Sequence, residues 1–395
     1  MAKTICFGEI MLRLSPPGFE RLLQSPQLQA TFGGGEANVA VSLAQFGHES
    51  HYVTRLPKNP IGDAAIKVLR AEGVAVEHIQ RGGERVGIYF AETGASQRAS
   101  TVVYDRAHSS ISEMAPGTMQ WSRVLAGAQW FHCTGITPAL GAAAAACTRE
   151  ALEAAKAANV PVSLDLNFRS KLWTAAEAQR VMRPLVQGAD VVIANEEDLQ
   201  SVLGVEVEHA DVEGGVFDVG AYRAAAARVA AEFAVKRVAV TLRESISASD
   251  NGWSAVLYDA STSTFLHSQR YSVRLVDRIG GGDSFAAGLI HGFVSGRDLE
   301  ATLKFGVAAS ALKQTIPGDF NQVSVSEVER LVNGDASGRV RREQRWRPGG
   351  RVLSWRRSRH EKVVDDARSR WGSPVARRSG DGAGLSGASA GANHG

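Results

Sequence analysis

Two glycine runs, each opening into an alanine-rich stretch, carry the groups best suited to chemistry. The later run reads Asp277-Arg278-Ile279-Gly280-Gly281-Gly282-Asp283-Ser284-Phe285-Ala286-Ala287-Gly288. Glycines let a backbone turn sharply and let a phosphate come close to it. The first turn of a helix presents unpaired N–H groups and a positive dipole end. The amides of Gly280, Gly281, Gly282 and Asp283 are therefore suited to hold the negative charge that grows during phosphoryl transfer. Asp283, at the expected helix start, suits the acceptor for the proton of an attacking hydroxyl. The plainer alternative is an aspartate that only caps a helix behind a glycine loop.

The earlier run is Phe32-Gly33-Gly34-Gly35-Glu36-Ala37-Asn38-Val39-Ala40. Acidic Glu36 and polar Asn38 follow Gly34 and Gly35, and no lysine does. That chemistry suits hydrogen bonds to polyol hydroxyls better than a grip on a triphosphate; an ordinary loop-to-helix junction is the rival. Neither run has the Gly-Lys-Ser/Thr ending of a P-loop, and neither fits the dinucleotide fingerprint after a first strand.

The elements that must position these loops alternate between β-rich and alanine-rich runs. Strands are expected at Thr4–Phe7, Ser50–Thr54, Gln129–Cys133, Val160–Asp165, Val191–Ala194 and Arg237–Leu242. Helices are expected at Glu36–Phe46, Ala142–Ala158, Ala175–Val186, Ala221–Phe233, Ser284–Val294 and Leu299–Lys313. Continuous apolar runs such as Val191–Ala194 suit parallel strands covered on both faces, so the pattern implies an α/β sandwich with helices on both sides. Two stretches break the rhythm. Residues 10–31 are irregular, and residues 86–106 read as a hairpin; together they suggest a small projecting sheet.

Charge divides the chain at about residue 335. Residues 336–395 carry a balance of +9, whereas residues 1–335 carry −6. The basic whole-chain balance is thus poor reason to expect nucleic-acid binding by the folded part. The Arg-, Gly- and Ser-rich tail reads as a disordered appendage outside the core activity, with an RNA-stacking arm as the rival. Cys6, Cys133 and Cys147 cannot all pair, and reduced buried thiols are expected. No signal peptide and no run near the ~20 apolar residues of a membrane span is present, so the chain reads as cytoplasmic.

The two glycine loops, in this order and separation and with Gly47 downstream of the first, resemble the paired signatures of the ribokinase-like (PfkB) sugar kinases. The resemblance covers roughly residues 3–335 and implies a three-layer αβα sandwich with a small β-sheet lid. Finer features are similar to the 2-keto-3-deoxygluconate kinases of that family: Gly34-Gly35-Glu36-Ala37-Asn38, Thr54-Arg55-Leu56-Pro57, Tyr89, Tyr104-Asp105-Arg106 and Asp165-Leu166-Asn167-Phe168-Arg169. The resemblance implies that Gly34, Gly35, Glu36 and Asn38 bind the sugar. Tyr89 and Tyr104 would line its pocket, and Arg106 and Arg169 would meet its carboxylate. Asp283 would be the base, with Gly280, Gly281 and Gly282 beside the phosphates of ATP. Asn195 opens the family's Asn-x-x-Glu motif, which supports Mg²⁺ through water; Asp198 stands here at the fourth position and reaches one methylene less far. Asn167, Arg169, Thr241, Arg243 and Gly252 are the expected nucleotide contacts. Asp319, in Pro317-Gly318-Asp319-Phe320, is an expected sugar contact, with a simple turn aspartate as the rival.

The expected reaction is phosphorylation of 2-keto-3-deoxygluconate at its 6-hydroxyl. An arginine fork matches a carboxylate, and a charge-assisted pair contributes about 1.5–3 kcal/mol against ~1 for a neutral hydrogen bond. A kinase of a neutral sugar such as fructose is the first alternative, and a sugar-acid sensor without catalysis the second. A homodimer through the lid is also expected, because an exposed apolar sheet face tends to be covered.

Overall fold

A strand covered on both faces needs apolar residues at every position, and Val191–Ala194 is buried at all four. Val191 and Ile193 pack into one core while Val192 and Ala194 pack into a second. The same alternation divides Ile5 and Phe7 from Cys6. The first core takes the helices Gly35–Gln45, Gly281–Val294 and Leu299–Lys313; the second takes Ala142–Ala157, Ala175–Val186 and Val219–Phe233. One sheet therefore lies between two helical layers.

In chain order the strands are β1 (Lys3–Phe7), β2 (Met11–Ser15), β3 (Gln29–Gly33), β4 (Glu49–Leu56), β5 (Ile79–Arg81), β6 (Gly87–Glu92) and β7 (Thr101–Asp105). They continue with β8 (Trp130–Thr134), β9 (Val162–Asp165), β10 (Val191–Ala194), β11 (Arg237–Ser245), β12 (Asp250–Asp259), β13 (Thr264–His267) and β14 (Tyr271–Arg274). The main sheet runs β13-β12-β11-β10-β9-β8-β1-β4-β5, with β14 also on β12. Strands from β11 to β5 in that order are parallel, but β12 is antiparallel to β11, β13 and β14. The sheet is thus mixed. The polar stretch Ile246–Asn251 holds the turn of the β11–β12 hairpin and the start of β12.

A separate four-stranded sheet has the order β3-β2-β6-β7, and its strands come from the two stretches that broke the sequence rhythm. Arg13 pairs in register with Tyr89, so both side chains leave the same face. This computed structural model describes residues 1–207, 218–335 and 337–338, within one compact unit, Met1–Gly338. The basic tail expected from residue 336 lies outside the described residues, apart from 337 and 338. Cys6, Cys133 and Cys147 are free and buried. Among the described residues no helix is long and apolar enough to cross a membrane.

A buried cation ties the small sheet to loops of the main body. Arg13 on β2 meets Asp319 at 2.7 Å through Nη1 and Asp277 at 2.7 Å through Nη2. Loss of one partner of a buried pair strands the other charge in low dielectric. Arg13→Ala should therefore lower unfolding stability by about 3–5 kcal/mol, read from urea denaturation. A loss below about 1 kcal/mol would show that water replaces the guanidinium and that the tie is not structural.

Candidate active site

The late glycine loop starts its helix as its sequence suggests, but the cap is different. Gly280 is the N-cap, at φ +84°, and Asp283 is the third residue of the helix Gly281–Val294. A Cβ at Gly280 would lie 2.2 Å from the Asp319 carbonyl oxygen, so both conformation and space require glycine there. Asp283 stands half-buried and lines a cavity of about 400 Å³, together with Gly280, Gly281 and Gly282. Its carboxyl is pushed up to about 6, chiefly by burial; the Asn38 hydrogen bond and the Arg169 charge oppose that rise.

Asn38 joins the two glycine loops. Its Nδ2 donates to Asp283 Oδ2 at 2.7 Å, and its Oδ1 accepts from the Gly34 amide at 3.2 Å. Gly34, Gly35 and Asn38 all line the cavity, but Glu36 does not. Glu36 lies fully buried behind the loop, where its Oε1 accepts from the Thr134 amide (3.0 Å) and from the hydroxyls of Thr134 (2.8 Å) and Thr137 (2.9 Å). Burial pushes its carboxyl up to about 7. The expected sugar contact at Glu36 is therefore corrected. Positions 36 and 38 are about 200° apart around a helix, so only one of them can face the cavity.

The second sheet supplies one wall. Tyr89 is buried and Tyr104 partly exposed; both line the cavity, with ring centroids 6.1 Å apart. Arg106 also lines it, with Nε donating to Glu9 Oε2 at 2.9 Å and Nη2 to the same oxygen. Its guanidinium carbon lies 5.4 Å from the Tyr104 ring centre. Asp319 reaches the cavity, but both its oxygens have partners: the Tyr89 hydroxyl at 2.5 Å and Arg13 at 2.7 Å. In this arrangement Asp319 fixes Tyr89, and its carboxylate, with about four acceptor sites, retains capacity for a sugar hydroxyl.

The opposite wall is built from residues at or just past the C-terminal ends of parallel strands, where α/β folds place ligands. Asp165 ends β9, followed by Asn167 (φ +43°) and Arg169; Asn195 and Asp198 follow β10. Arg169 is half-buried, and Nη1 donates to the Phe168 carbonyl at 2.8 Å. Asp198 accepts from the amides of Phe168 (2.8 Å) and Asn195 (3.0 Å), while its own amide donates to Asn195 Oδ1 (2.8 Å). Burial pushes its carboxyl up to about 6. Asp165 is held well above the usual carboxylate range by burial and then by Asp198 and Asp283. Sequence reasoning gave Asp165 no role, although its place at the end of a parallel strand was the available signal.

This crowding of acids suits a divalent cation. Both oxygens of Asp198 already accept main-chain amides, so support through water fits better than a direct bond. Among the described residues, the metal-ligating side chains that converge are His51, Glu77 and His78, which do not line the cavity.

Thr241 and Arg243 line the cavity, but Gly252 does not. Gly252 lies within β12, opposite Glu244, and a Cβ there would meet Glu244 Oε2 at 2.3 Å and Arg270 Nη2 at 2.6 Å. It makes room for that ion pair and is removed from the nucleotide contacts. Asn251, Trp253 and Arg278 stand at the cavity instead, and sequence reasoning missed them as contacts. Both side-chain polar atoms of Asn251, Trp253 Nε1 and Arg278 Nε are buried without a partner. Unpaired buried polar atoms around one cavity call for a polar ligand.

Proton acceptance by Asp283 requires its ionised form. The acid limb of kcat/KM should therefore fall tenfold per pH unit below about 6. Asp165 is coupled by charge to Asp283 and Asp198. A limb near the ordinary aspartate range would remove Asp283 as the group whose ionisation limits the rate.

Comparison with known proteins accords with this geometry. The model of the pfkB family carbohydrate kinases matches residues 1–323. The crystal structure of 2-dehydro-3-deoxygluconokinase from Thermotoga maritima is 49% identical, with a TM-score of 0.81, covering 85% of this chain and 100% of that one. The 2-dehydro-3-deoxygalactonokinase of Haloferax volcanii is 31% identical over 337 residues, 85% of this chain and 98% of its own. A fructokinase of Klebsiella pneumoniae is 30% identical over 299 residues, 73% and 83% respectively. The chain belongs to the pfkB family of carbohydrate kinases.

Proposed function

We propose that this kinase transfers the γ-phosphoryl group of ATP to the 6-hydroxyl of 2-keto-3-deoxygluconate, giving the 6-phosphate and ADP. One observation carries the reading: a desolvated carboxylate, Asp283, shares its cavity with Arg106 and Arg169 and with the glycine amides at a helix start. The Thermotoga maritima and Haloferax volcanii relatives, named for keto-deoxy sugar acids, support the substrate class.

In the proposed reaction Asp283 takes the hydroxyl proton as the hydroxyl oxygen bonds to the γ-phosphorus. The bond to the ADP oxygen breaks, and its electron pair leaves with ADP. Main-chain amides of Gly280–Asp283 hold the charge on the transferring group. Asn38 orients Asp283, and Gly34 and Tyr89 border the sugar. Asn167, Thr241, Arg243, Asn251 and Arg278, which line the cavity, would meet the nucleotide. Mg²⁺, held through water by Asn195 and Asp198, would supply positive charge against the phosphates. The small sheet acts as a lid that excludes water as a competing nucleophile. We also assign the enzyme to the cytoplasm, and a homodimer to the exposed face of β7, where Val103 stands in solvent.

A screen of ATP consumption across keto sugar acids, neutral hexoses and nucleosides tests the substrate. Arg169→Ala should lower kcat/KM for the keto acid by about tenfold to a hundredfold, the equivalent of a charge-assisted hydrogen bond, and lower slow fructose turnover by much less. The Klebsiella pneumoniae relative makes fructose the second reading; faster turnover of fructose than of the keto acid would establish it. Asp283→Asn should abolish phosphorylation but keep sugar binding, and normal turnover would remove the base. For the dimer, Val103→Asp should give a monomer by light scattering; an unchanged mass would place the contact elsewhere.

A further inference from the structure

We infer that the Lys313 ammonium is a built-in cation that holds the catalytic glycine loop in its phosphoryl-accepting shape. The inference rests on Asp283 and its loop being the catalytic centre. Lys313 is the last residue of the helix Leu299–Lys313 and has no exposed surface. Its Nζ donates to the main-chain carbonyls of Ile279, Gly318 (2.6 Å) and Asp277 (3.4 Å). Three protons meet three carbonyls. The acids that face it are Asp277, Asp319 and Asp283, and the first two pair with Arg13.

These carbonyls belong to the loop that must present its amides. In a trans peptide the C=O and the next N–H point in opposite directions. Drawing the Ile279 carbonyl down to Lys313 therefore turns the Gly280 N–H away from Lys313. Ser310, one turn earlier on the same helix, donates to the Gly281 carbonyl at 2.7 Å and so turns the Gly282 N–H in the same sense. Gly280 and Gly282 both line the cavity. A Cβ at Gly280 would lie 3.1 Å from Lys313 Cε, so the lysine stem also supports the loop from beneath. Lys313 is a positioning residue: it does not line the cavity, and it acts through the loop and through its charge. That charge, with Arg169, opposes the rise in the Asp283 carboxyl, while Asp319 adds to it; Asp165 is the further acid coupled to Asp283.

The test compares Lys313→Met, Lys313→Ala and the full-length wild type. Lys313→Met keeps the stem and removes the charge. It should lower kcat by about a hundredfold, as loss of one preorganised donor does, with KM for the keto acid within about threefold. Its acid limb should move up by about one pH unit, because a cation facing Asp283 is gone. Lys313→Ala leaves a hole ringed by three carbonyl oxygens, and added ammonium or potassium should restore activity at least about tenfold. Wild type in buffers of bulky organic cations should keep its full rate. Wild-type kcat and acid limb in Lys313→Met, or a wild type that needs an added small cation, would overturn the inference. If neither variant folds, the wild-type cation requirement decides. An active Asp283→Asn enzyme would instead overturn the catalytic reading on which the inference stands.

Discussion

The hydrogen bond from Asn38 Nδ2 to Asp283 Oδ2 spans 245 residues and fixes the two glycine loops against each other. The bond is also electrostatic. Burial drives the Asp283 carboxyl toward its neutral form, and the Asn38 donor is the largest influence holding it ionised. Neither loop alone could provide this balance. It depends on the sheet order, which brings β1 beside β4 and β8, and on the packing of the helix Gly35–Gln45 against the helix Gly281–Val294.

Both loops were legible in the sequence because glycine runs before helices and a carboxylate beside them are local features. Burial was not legible. Glu36 has the residue type of a sugar contact, yet helical geometry turns it away from Asn38 and onto Thr134 and Thr137. Gly252 reads as a loop glycine, yet β11 pairs with β12 through Ser245 and Asn251, making it a strand position beneath an ion pair. Lys313 has the appearance of a solvated helix-end lysine, and only tertiary packing shows it without exposure. The short strands β13 and β14 escaped because they lack the continuous apolar run that marks the central strands, whereas β12, with Ala255-Val256-Leu257-Tyr258, was passed over although it carries one.

The acids around the cavity differ less in type than in surroundings. Asp165, enclosed and beside two other carboxylates, is held well above the usual range. Asp283 and Asp198, each given hydrogen-bond donors, are pushed up only to about 6. Different surroundings thus set adjacent carboxyl groups apart.

Two buried cations, Arg13 and Lys313, grip the same short segments, 277–279 and 318–319, from different elements. Arg13 reaches in from the small sheet and takes side-chain carboxylates; Lys313 comes from a helix of the main layer and takes main-chain carbonyls. Because the loop's acceptors already have these partners, its donors need no rearrangement when an anion arrives. A site made this way does its orienting work during folding, which is the condition under which fixed dipoles stabilise a transferring phosphoryl group better than water does.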